Sequence, residues 1–402
     1  MSMNDTPSGE RVQIGFFGRR NAGKSSVVNA VTGQQLSIVS ETKGTTTDPV
    51  YKAMELLPLG PVMVIDTPGF DDEGALGEQR VKKTRQVLNK TDVAVLVTDA
   101  LSEFSGCERE LIRLFCEREI PYLIVRNKSD LLPGEKPAEE NELYVSAKTG
   151  AGIEALKERL ARLTVTDKMT RRLVGDLLRP DDLAVLVTPI DAAAPKGRMI
   201  LPQQQVIRDV LEADACSVVV KENNLAAALA SLGKKPAMVI TDSQAFGVVS
   251  KIVPQDIPLT SFSILMARYK GLLETSVRGA AAMKRLHDGD TVLISEGCTH
   301  HRQCTDIGTV KLPRWLREYT GKQLNIVTSS GTEFPEDLSE VALVLHCGGC
   351  MLNAREVKHR MRSAVLQGVP ITNYGVAIAC MNGILRRSLE LFPDLLSLLD
   401  EP

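Results

Sequence analysis

Short apolar runs alternate with amphipathic stretches for almost the whole length of the chain. Val12 to Phe17 is the first run, and Pro61 to Ile65, Val93–Thr98, Tyr122 to Val125 and Leu143 to Val145 follow it. Each has the length and continuity of a strand buried on both faces. Lys52–Leu57 alternates instead, and the Leu59-Gly60-Pro61 turn predicts that it forms a hairpin with the run after it. Helical spacing is predicted at Ala75–Lys90, Cys107–Glu119 and Ile153–Leu163. Residues 1–165 therefore read as a mostly parallel sheet with helices on both faces.

Thr164 to Asp182 is charged and carries an Arg-Pro break, so 166–182 reads as a linker. The alternation then resumes over 183–265. Strands are predicted at Leu183 to Thr188, Cys216 to Val220, Pro236 to Thr241 and Ile257 to Ser261, with helices at Gln204 to Leu211, Asn223 to Leu232 and Gln244–Ile252. It continues over 266–402, with strands at Thr291–Ser295, Leu324–Thr328, Val341–Leu345 and Ile371–Tyr374. Helices there are predicted at Ser276–Leu286, Leu312–Tyr319, Ala354–Leu366 and Gly375–Leu389. The fold class is α/β, with one larger unit followed by two smaller ones with mainly parallel sheets. The middle unit has no dense polar site, and its open sheet edge or a helix face suggests a homodimer contact.

Composition narrows the function. The 402 residues suit two or three domains, and 48 basic residues balance 50 acidic ones, so a nucleic-acid partner is not expected. Aromatics are 4%, with Trp315 the one tryptophan, which leaves little for stacking on bases. No run approaches the roughly 18 apolar residues of a membrane helix, and Met1 to Glu10 is polar with no apolar segment behind it. A cytoplasmic protein without membrane contact is expected, whose eight cysteines are not structural disulfides. Cys107, Cys116, Cys216 and Cys380 stand singly and read as small buried hydrophobes.

The chemistry begins where the first strand ends. Gly18-Arg19-Arg20-Asn21-Ala22-Gly23-Lys24-Ser25-Ser26 has the composition of a phosphate-cradling loop opening a helix. Its glycines let backbone amides turn inward, Lys24 reaches the terminal phosphates and the Ser25 hydroxyl holds Mg2+. Arg19 and Arg20 read as solvated charge before phosphate guides. Asp66-Thr67-Pro68-Gly69 ends a later strand: Asp66 suits a magnesium water and the Gly69 amide suits the last phosphate. Between them Gly44-Thr45-Thr46-Thr47-Asp48 reads as a switch loop, with Thr46 completing the magnesium shell. Asn127-Lys128-Ser129-Asp130 selects guanine, because Asp130 accepts from both nitrogens of that base edge. Ser146-Ala147-Lys148 closes the pocket. Lys24, Asn21, Thr46, Asp66 and Gly69 form the predicted catalytic set, with GTP as substrate and GDP as product.

A second constellation lies far downstream. Cys298-Thr299-His300 follows one predicted strand and His346-Cys347-Gly348-Gly349-Cys350 follows another, with 45 residues between the histidines. Ligands at the carboxyl ends of neighbouring parallel strands can share one crevice. Three thiolates suit iron–sulfur or zinc, with a fourth bond from His300, His346, solvent or a partner. Cys304 is a spare thiol, and a redox pair at Cys347 and Cys350 would leave Cys298 idle.

The four nucleotide motifs resemble a Ras-like GTPase, and in detail the bacterial branch that includes Era and MnmE. That resemblance implies a potassium ion bound with the help of Asn21. It also implies hydrolysis without a glutamine, since Phe70 follows Gly69. The whole chain, with Cys298, His300, His346, Cys347 and Cys350 in the spacing of the family signature, resembles the HydF family. The resemblance implies a dimerisation domain at 183–265 and a cluster domain at 266–402. In it Cys298, Cys347 and Cys350 hold a [4Fe–4S] cluster whose fourth position is variable or exchangeable, with His300 and His346 beside it in sequence. It further implies a GTP-hydrolysing scaffold that receives a two-iron subcluster precursor from HydE and HydG and delivers it to the apo [FeFe]-hydrogenase HydA. The alternative is a ribosome- or RNA-associated GTPase with a structural Cys/His zinc site.

Overall fold

The computed structural model describes residues 8–34, 48–70, 75–134, 137, 139–164, 172–190, 199–297, 307–331 and 333–399. Thr46, Cys298, His300 and Cys304 lie outside the described residues. The chain divides into two compact units, Met1–Thr170 and Arg171–Pro402.

The first unit is a six-stranded sheet. Its strands are β1 (Val12–Phe17), β2 (Val50–Leu56), β3 (Gly60–Asp66), β4 (Val93–Asp99), β5 (Tyr122–Asn127) and β6 (Glu142–Tyr144). They run in the order β2-β3-β1-β4-β5-β6, with only the β2–β3 hairpin antiparallel. The helices are α1 (Lys24–Thr32), α2 (Ala75–Lys90), α3 (Gly106–Glu117) and α4 (Ile153–Thr164). Two apolar clusters cover the two sheet faces. Val27, Val28, Leu156 and Leu160 pack over one, and Phe17, Leu88, Leu111 and Phe115 over the other. Ser105 starts α3 with a reciprocal cap, its side chain accepting from the Glu108 amide while the Glu108 carboxylate accepts from the Ser105 amide.

The second unit holds two four-stranded parallel sheets. The first contains β7 (Leu183–Val187), β8 (Cys216–Val220), β9 (Met238–Thr241) and β10 (Leu259–Ser261) in the order β10-β9-β7-β8. Its helices are α5 (Leu201–Leu211), α6 (Leu225–Ser231), α7 (Phe246–Ile252) and α8 (Phe262–Tyr269). The helix α9 (Leu273–Ala281) leads to the second sheet. That sheet contains β11 (Thr291–Glu296), β12 (Asn325–Ser330), β13 (Leu343–His346) and β14 (Ile371–Asn373) in the order β12-β11-β13-β14. α10 (Leu312–Thr320), α11 (Ala354–Leu366), α12 (Tyr374–Met381) and α13 (Leu385–Ser388) complete it. Counting strands within each sheet, both follow the order second-first-third-fourth. The same winding has been used twice in succession.

One apolar cluster runs through both sheets of this unit, from Leu173 through Val185, Ile240, Ile264 and Val277 to Ile294, Leu345 and Leu389. α8 crosses the sequence boundary at residue 265, with Ser261 as its cap accepting from the Ile264 amide. The single helix expected over Gly375–Leu389 is instead two, because Gly383 adopts φ +70° between α12 and α13. Cys116 and Cys216 are exposed rather than buried. The first falls on the polar face of α3 beside Glu117, and the second opens β8, the edge strand of its sheet among the described residues.

Candidate functional site

The loop after β1 needs a backbone that ordinary residues resist. Gly23 sits at φ +82°, and a Cβ there would come 2.2 Å from Asn127 Nδ2. Gly18 faces the same limit from the carbonyl of Val97, also at 2.2 Å. Asn21 takes a left-handed φ of +60°, which asparagine tolerates better than bulkier residues. From this loop α1 begins, with Lys24 almost fully buried and its Nζ 3.8 Å from Asp66 Oδ1. Ser25 Oγ donates to Asp66 Oδ2 at 2.7 Å. Asp66 Oδ1 is buried and accepts no hydrogen bond. A hydroxyl beside a carboxylate with one unsatisfied oxygen is a hard donor set that fits Mg2+. The strand end is fixed by Thr67, which donates to the Phe16 carbonyl through both its amide and its hydroxyl. The Phe70 amide, just after Gly69, donates to the Gly18 carbonyl at 3.3 Å. The two phosphate-facing loops therefore meet.

The base-selecting loops join the same framework. Asn127 Nδ2 donates to the Ala22 carbonyl and Asn127 Oδ1 accepts from the Ala147 amide, each at 3.1 Å. One side chain thus ties the phosphate loop to the closing loop. Ser146 Oγ donates to Asp130 Oδ1 at 2.6 Å, which orients the carboxylate. Lys128, at φ +66°, donates to Asp99 Oδ2 at 2.6 Å. Burial raises the Asp99 carboxyl, but bonds from Lys128 and the Leu101 amide outweigh it and hold the group below its usual range. Asp99 escaped sequence reasoning, although its place at the end of β4 beside β5 was the available signal. Lys148 lies exposed in the following turn, and Ser26 follows Ser25 in the first turn of α1. Arg19 is not simply solvated. Its Nε lies 3.3 Å from Glu108 Oε1, and the Glu108 carboxylate is buried. The reciprocal cap of α3 fixes that glutamate, so the arginine is drawn to α3.

In the second unit, β11 and β13 are the adjacent first and third strands of their sheet, and the chain leaves them in opposite directions across it. This is a topological switch point, where open parallel sheets form a crevice at their carboxyl ends. Gly297 and Cys347 stand there. The Gly297 amide donates to Cys347 Sγ at 3.0 Å, and the Gly349 amide donates to the same sulfur at 3.3 Å. Gly297 has no room for more. A Cβ would meet Leu352 at 2.7 Å. Gly349 takes φ +60° to turn the chain between Cys347 and Cys350. Burial pushes the Cys347 thiol up, against the two amides. Amide donors aimed at a buried sulfur are the surroundings of a metal-bound thiolate, and two cysteines on one turn fit an iron–sulfur group. Among the described residues, no three His, Cys, Asp or Glu side chains are grouped to hold a metal ion. Cys298, the next residue after Gly297 in sequence, is outside them.

His346 ends β13 fully buried. Its Nδ1 lies 2.6 Å from the Cys347 carbonyl and its Nε2 3.5 Å from Arg360 Nη1. Burial, then the Arg360 charge, pushes its pKa down to about 3, so the ring is neutral. Arg360, itself fully buried, also bonds Glu356, Ser295 Oγ and the Gly331 carbonyl. Sequence reading singled out the histidine but missed this arginine. Lys270 was missed too. Its ammonium donates to the carbonyls of Gly349 at 2.6 Å, Leu352 at 3.3 Å and Gly348 at 3.4 Å.

No helix among the described residues is long and apolar enough to cross a membrane. Residues 13–128 match a family model described as a 50S ribosome-binding GTPase. The tRNA modification GTPase MnmE of Coxiella burnetii is 35% identical over 158 residues, 38% of this chain and 34% of that protein. GTPase Der of Wolinella succinogenes is 30% identical over 192 residues, 44% of this chain and 40% of that protein. The chain thus spans little more than a third of the length of these curated relatives. The second unit matches two models of another kind. Residues 173–271 match the hydrogen maturase F dimerization domain and residues 274–391 the hydrogen maturase F tetramerization domain. The cysteine-bearing sheet is therefore also an assembly domain of that family. With a P-loop GTPase domain followed by these two domains, the chain belongs to the HydF family of GTPases.

Proposed function

We propose that this protein hydrolyses GTP with Mg2+ and serves as a metallocluster scaffold, holding a [4Fe–4S] cluster through Cys298, Cys347 and Cys350. Its cargo is a two-iron subcluster precursor, accepted from HydE and HydG and passed to apo HydA in the cytoplasm. The protein acts as a homodimer or higher assembly. The observation that carries the cluster reading is the 3.0 Å bond from the Gly297 amide to Cys347 Sγ. It brings the segment that leads into Cys298 against the other cysteine pair, a contact that a metal-free interaction tail would not need. The bound cluster would supply an iron site for cargo. Cys347 and Cys350 bind it, and the Gly297 and Gly349 amides orient the Cys347 sulfur. The fourth position stays open to His300, a partner group or an exchangeable ligand. His346 has both ring nitrogens engaged by Cys347 and Arg360, which favours a neutral strut over a ligand.

In the first unit, Lys24 and the loop amides neutralise phosphate charge, while Ser25 and Asp66 hold the magnesium with Thr46. Asn21 helps to place a potassium ion in the role an arginine would otherwise fill. Nucleotide-dependent order in residues 45–48 and 66–72 alters contacts with partners, and hydrolysis resets it. Anaerobic purification with iron and sulfide counts and an electron-spin spectrum tests the cluster. A colourless protein with one zinc would sink it. The second reading, an RNA-associated GTPase with a zinc site, draws on the ribosome-binding description of the matched GTPase model. Salt-sensitive RNA binding at micromolar protein would favour it.

A further inference from the structure

Lys270 stands at a junction. It follows the last residue of α8, at the end of the segment that matches the dimerization model, and α9 opens the next domain. Its side chain reaches across to the second sheet. It is only 6% exposed and lies 3.6 Å from where a Cβ on Gly349 would sit. The carbonyls of Gly348, Gly349 and Leu352, which accept from its ammonium, all belong to the turn that carries Cys347 and Cys350.

Two physical consequences follow. An ammonium has three donors and a compact charge, so it can hold three carbonyls that would otherwise repel one another. Those carbonyls fix the turn, and the turn fixes both the Gly349 amide that reaches Cys347 Sγ and the placement of Cys350. The positive charge is also buried against the turn that carries the two sulfurs, where a low dielectric makes it felt strongly.

We propose that Lys270 is the positioning residue of the cluster site, supplied by the dimerisation domain: it locks the Cys347–Leu352 turn and biases the bound cluster toward its reduced state. The proposal rests on the cluster reading above. It makes the integrity of the metal turn depend on the end of α8, so a change in the assembly domain reaches the cluster through one side chain.

The test compares the full-length wild-type chain with Lys270→Met, Lys270→Gln and Lys270→Arg. In the metal-free protein, alkylation of Cys347 and Cys350 by iodoacetamide is followed by peptide mass spectrometry. After anaerobic reconstitution with iron and sulfide, metal content and the cluster midpoint are measured. Lys270→Met should be alkylated at least several-fold faster and should bind less iron with a more negative midpoint. Removing a positive charge disfavours the added electron. Lys270→Gln, which donates but carries no charge, should keep alkylation slower than in the Met variant yet move the midpoint. Lys270→Arg should restore the midpoint. Wild-type alkylation rates in both uncharged variants would overturn the locking role. An unmoved midpoint in Lys270→Gln would overturn the charge role, even if Lys270→Met does not fold. A wild-type chain that takes up no iron would count against the cluster reading, while the alkylation comparison would still decide the fate of Lys270.

Discussion

Ser25 Oγ donates to Asp66 Oδ2 at 2.7 Å, linking the first turn of α1 to the end of β3. The bond joins two residues 41 positions apart and leaves Asp66 Oδ1 without a hydrogen-bond donor. A bound magnesium ion with its waters would satisfy that oxygen, and the serine hydroxyl is placed to serve as its ligand. Ser25→Ala removes one ligand and one bond but leaves the phosphate loop intact. We expect GTP turnover to fall by about two orders of magnitude, as for loss of one preorganised electrostatic group. Raising magnesium should restore part of it. Asp66→Asn should behave alike and show no partial rescue, because the neutral amide holds the ion's water shell poorly. Steady-state phosphate release across a magnesium titration reads both.

Arg360 and Glu356 form a second such relationship, this time wholly inside the protein. Arg360 Nε donates to Glu356 Oε1 at 2.9 Å, and neither side chain has meaningful exposure. Replacing Arg360 with methionine strands a buried carboxylate and frees Ser295, His346 and the Gly331 carbonyl. The expected cost is about 3–5 kcal/mol in the second unit. The double change Arg360→Met with Glu356→Leu should recover much of it. Urea unfolding followed by the single Trp315 (a reporter within that unit) measures the difference.

Much of this was legible in the residues. The parallel strands announced themselves where both faces are covered, so Val93–Asp99 and Leu183–Val187 read as continuous apolar runs. The nucleotide loops were legible because glycine, lysine and aspartate at strand ends have few other uses. α8 was not read, because Phe262 to Tyr269 is apolar almost all round and gives no 3.6-residue stripe. Its one signal was Ser261 as cap. The partners of the sites were hidden for a different reason. Glu108, Lys270 and Arg360 act at sequence separations of 89, 79 and 65 from Arg19, Gly349 and Ser295, and spacing along the chain carries no trace of such contacts. The shared core of the two smaller sheets was equally invisible, since periodicity tells which face is buried but not against what.

The pair Arg268 and Asp176 gives a pH signature. Arg268 Nη1 donates to Asp176 Oδ1 at 2.9 Å and Nη2 to the other oxygen. That hydrogen bonding, against some burial, holds the Asp176 carboxyl below its ordinary range. A depressed folded-state value stabilises the protein above the unfolded value, about 4, and the contribution disappears as pH falls through the folded value. Asp176 is 42% exposed, so solvent screening limits the gain to roughly 0–1 kcal/mol. Asp176→Asn should lower the urea midpoint slightly at neutral pH and converge on wild type as pH falls through the folded value. A constant deficit at every pH would mean the pair acts through packing alone.

The strongest separation of the two units' roles comes from the cysteines. Cys347 Sγ accepts from two amides at the switch point, whereas Cys380 Sγ lies 3.6 Å from the Tyr319 hydroxyl. Burial raises both thiols, so acidity does not distinguish them; surroundings do. Cys347→Ala should abolish iron and sulfide loading, and Cys298→Ala should do the same. Cys380→Ala should leave loading unchanged and cost about 1 kcal/mol of stability, as a small half-buried side chain. All three should hydrolyse GTP at the wild-type basal rate, because the nucleotide loops and the cysteine turn belong to different compact units. Iron retained by Cys347→Ala at the wild-type level would remove this sulfur from the site. A fall in basal hydrolysis in that variant would instead show that the metal turn reaches the nucleotide, and it would give the GTP cycle a direct line to the cluster.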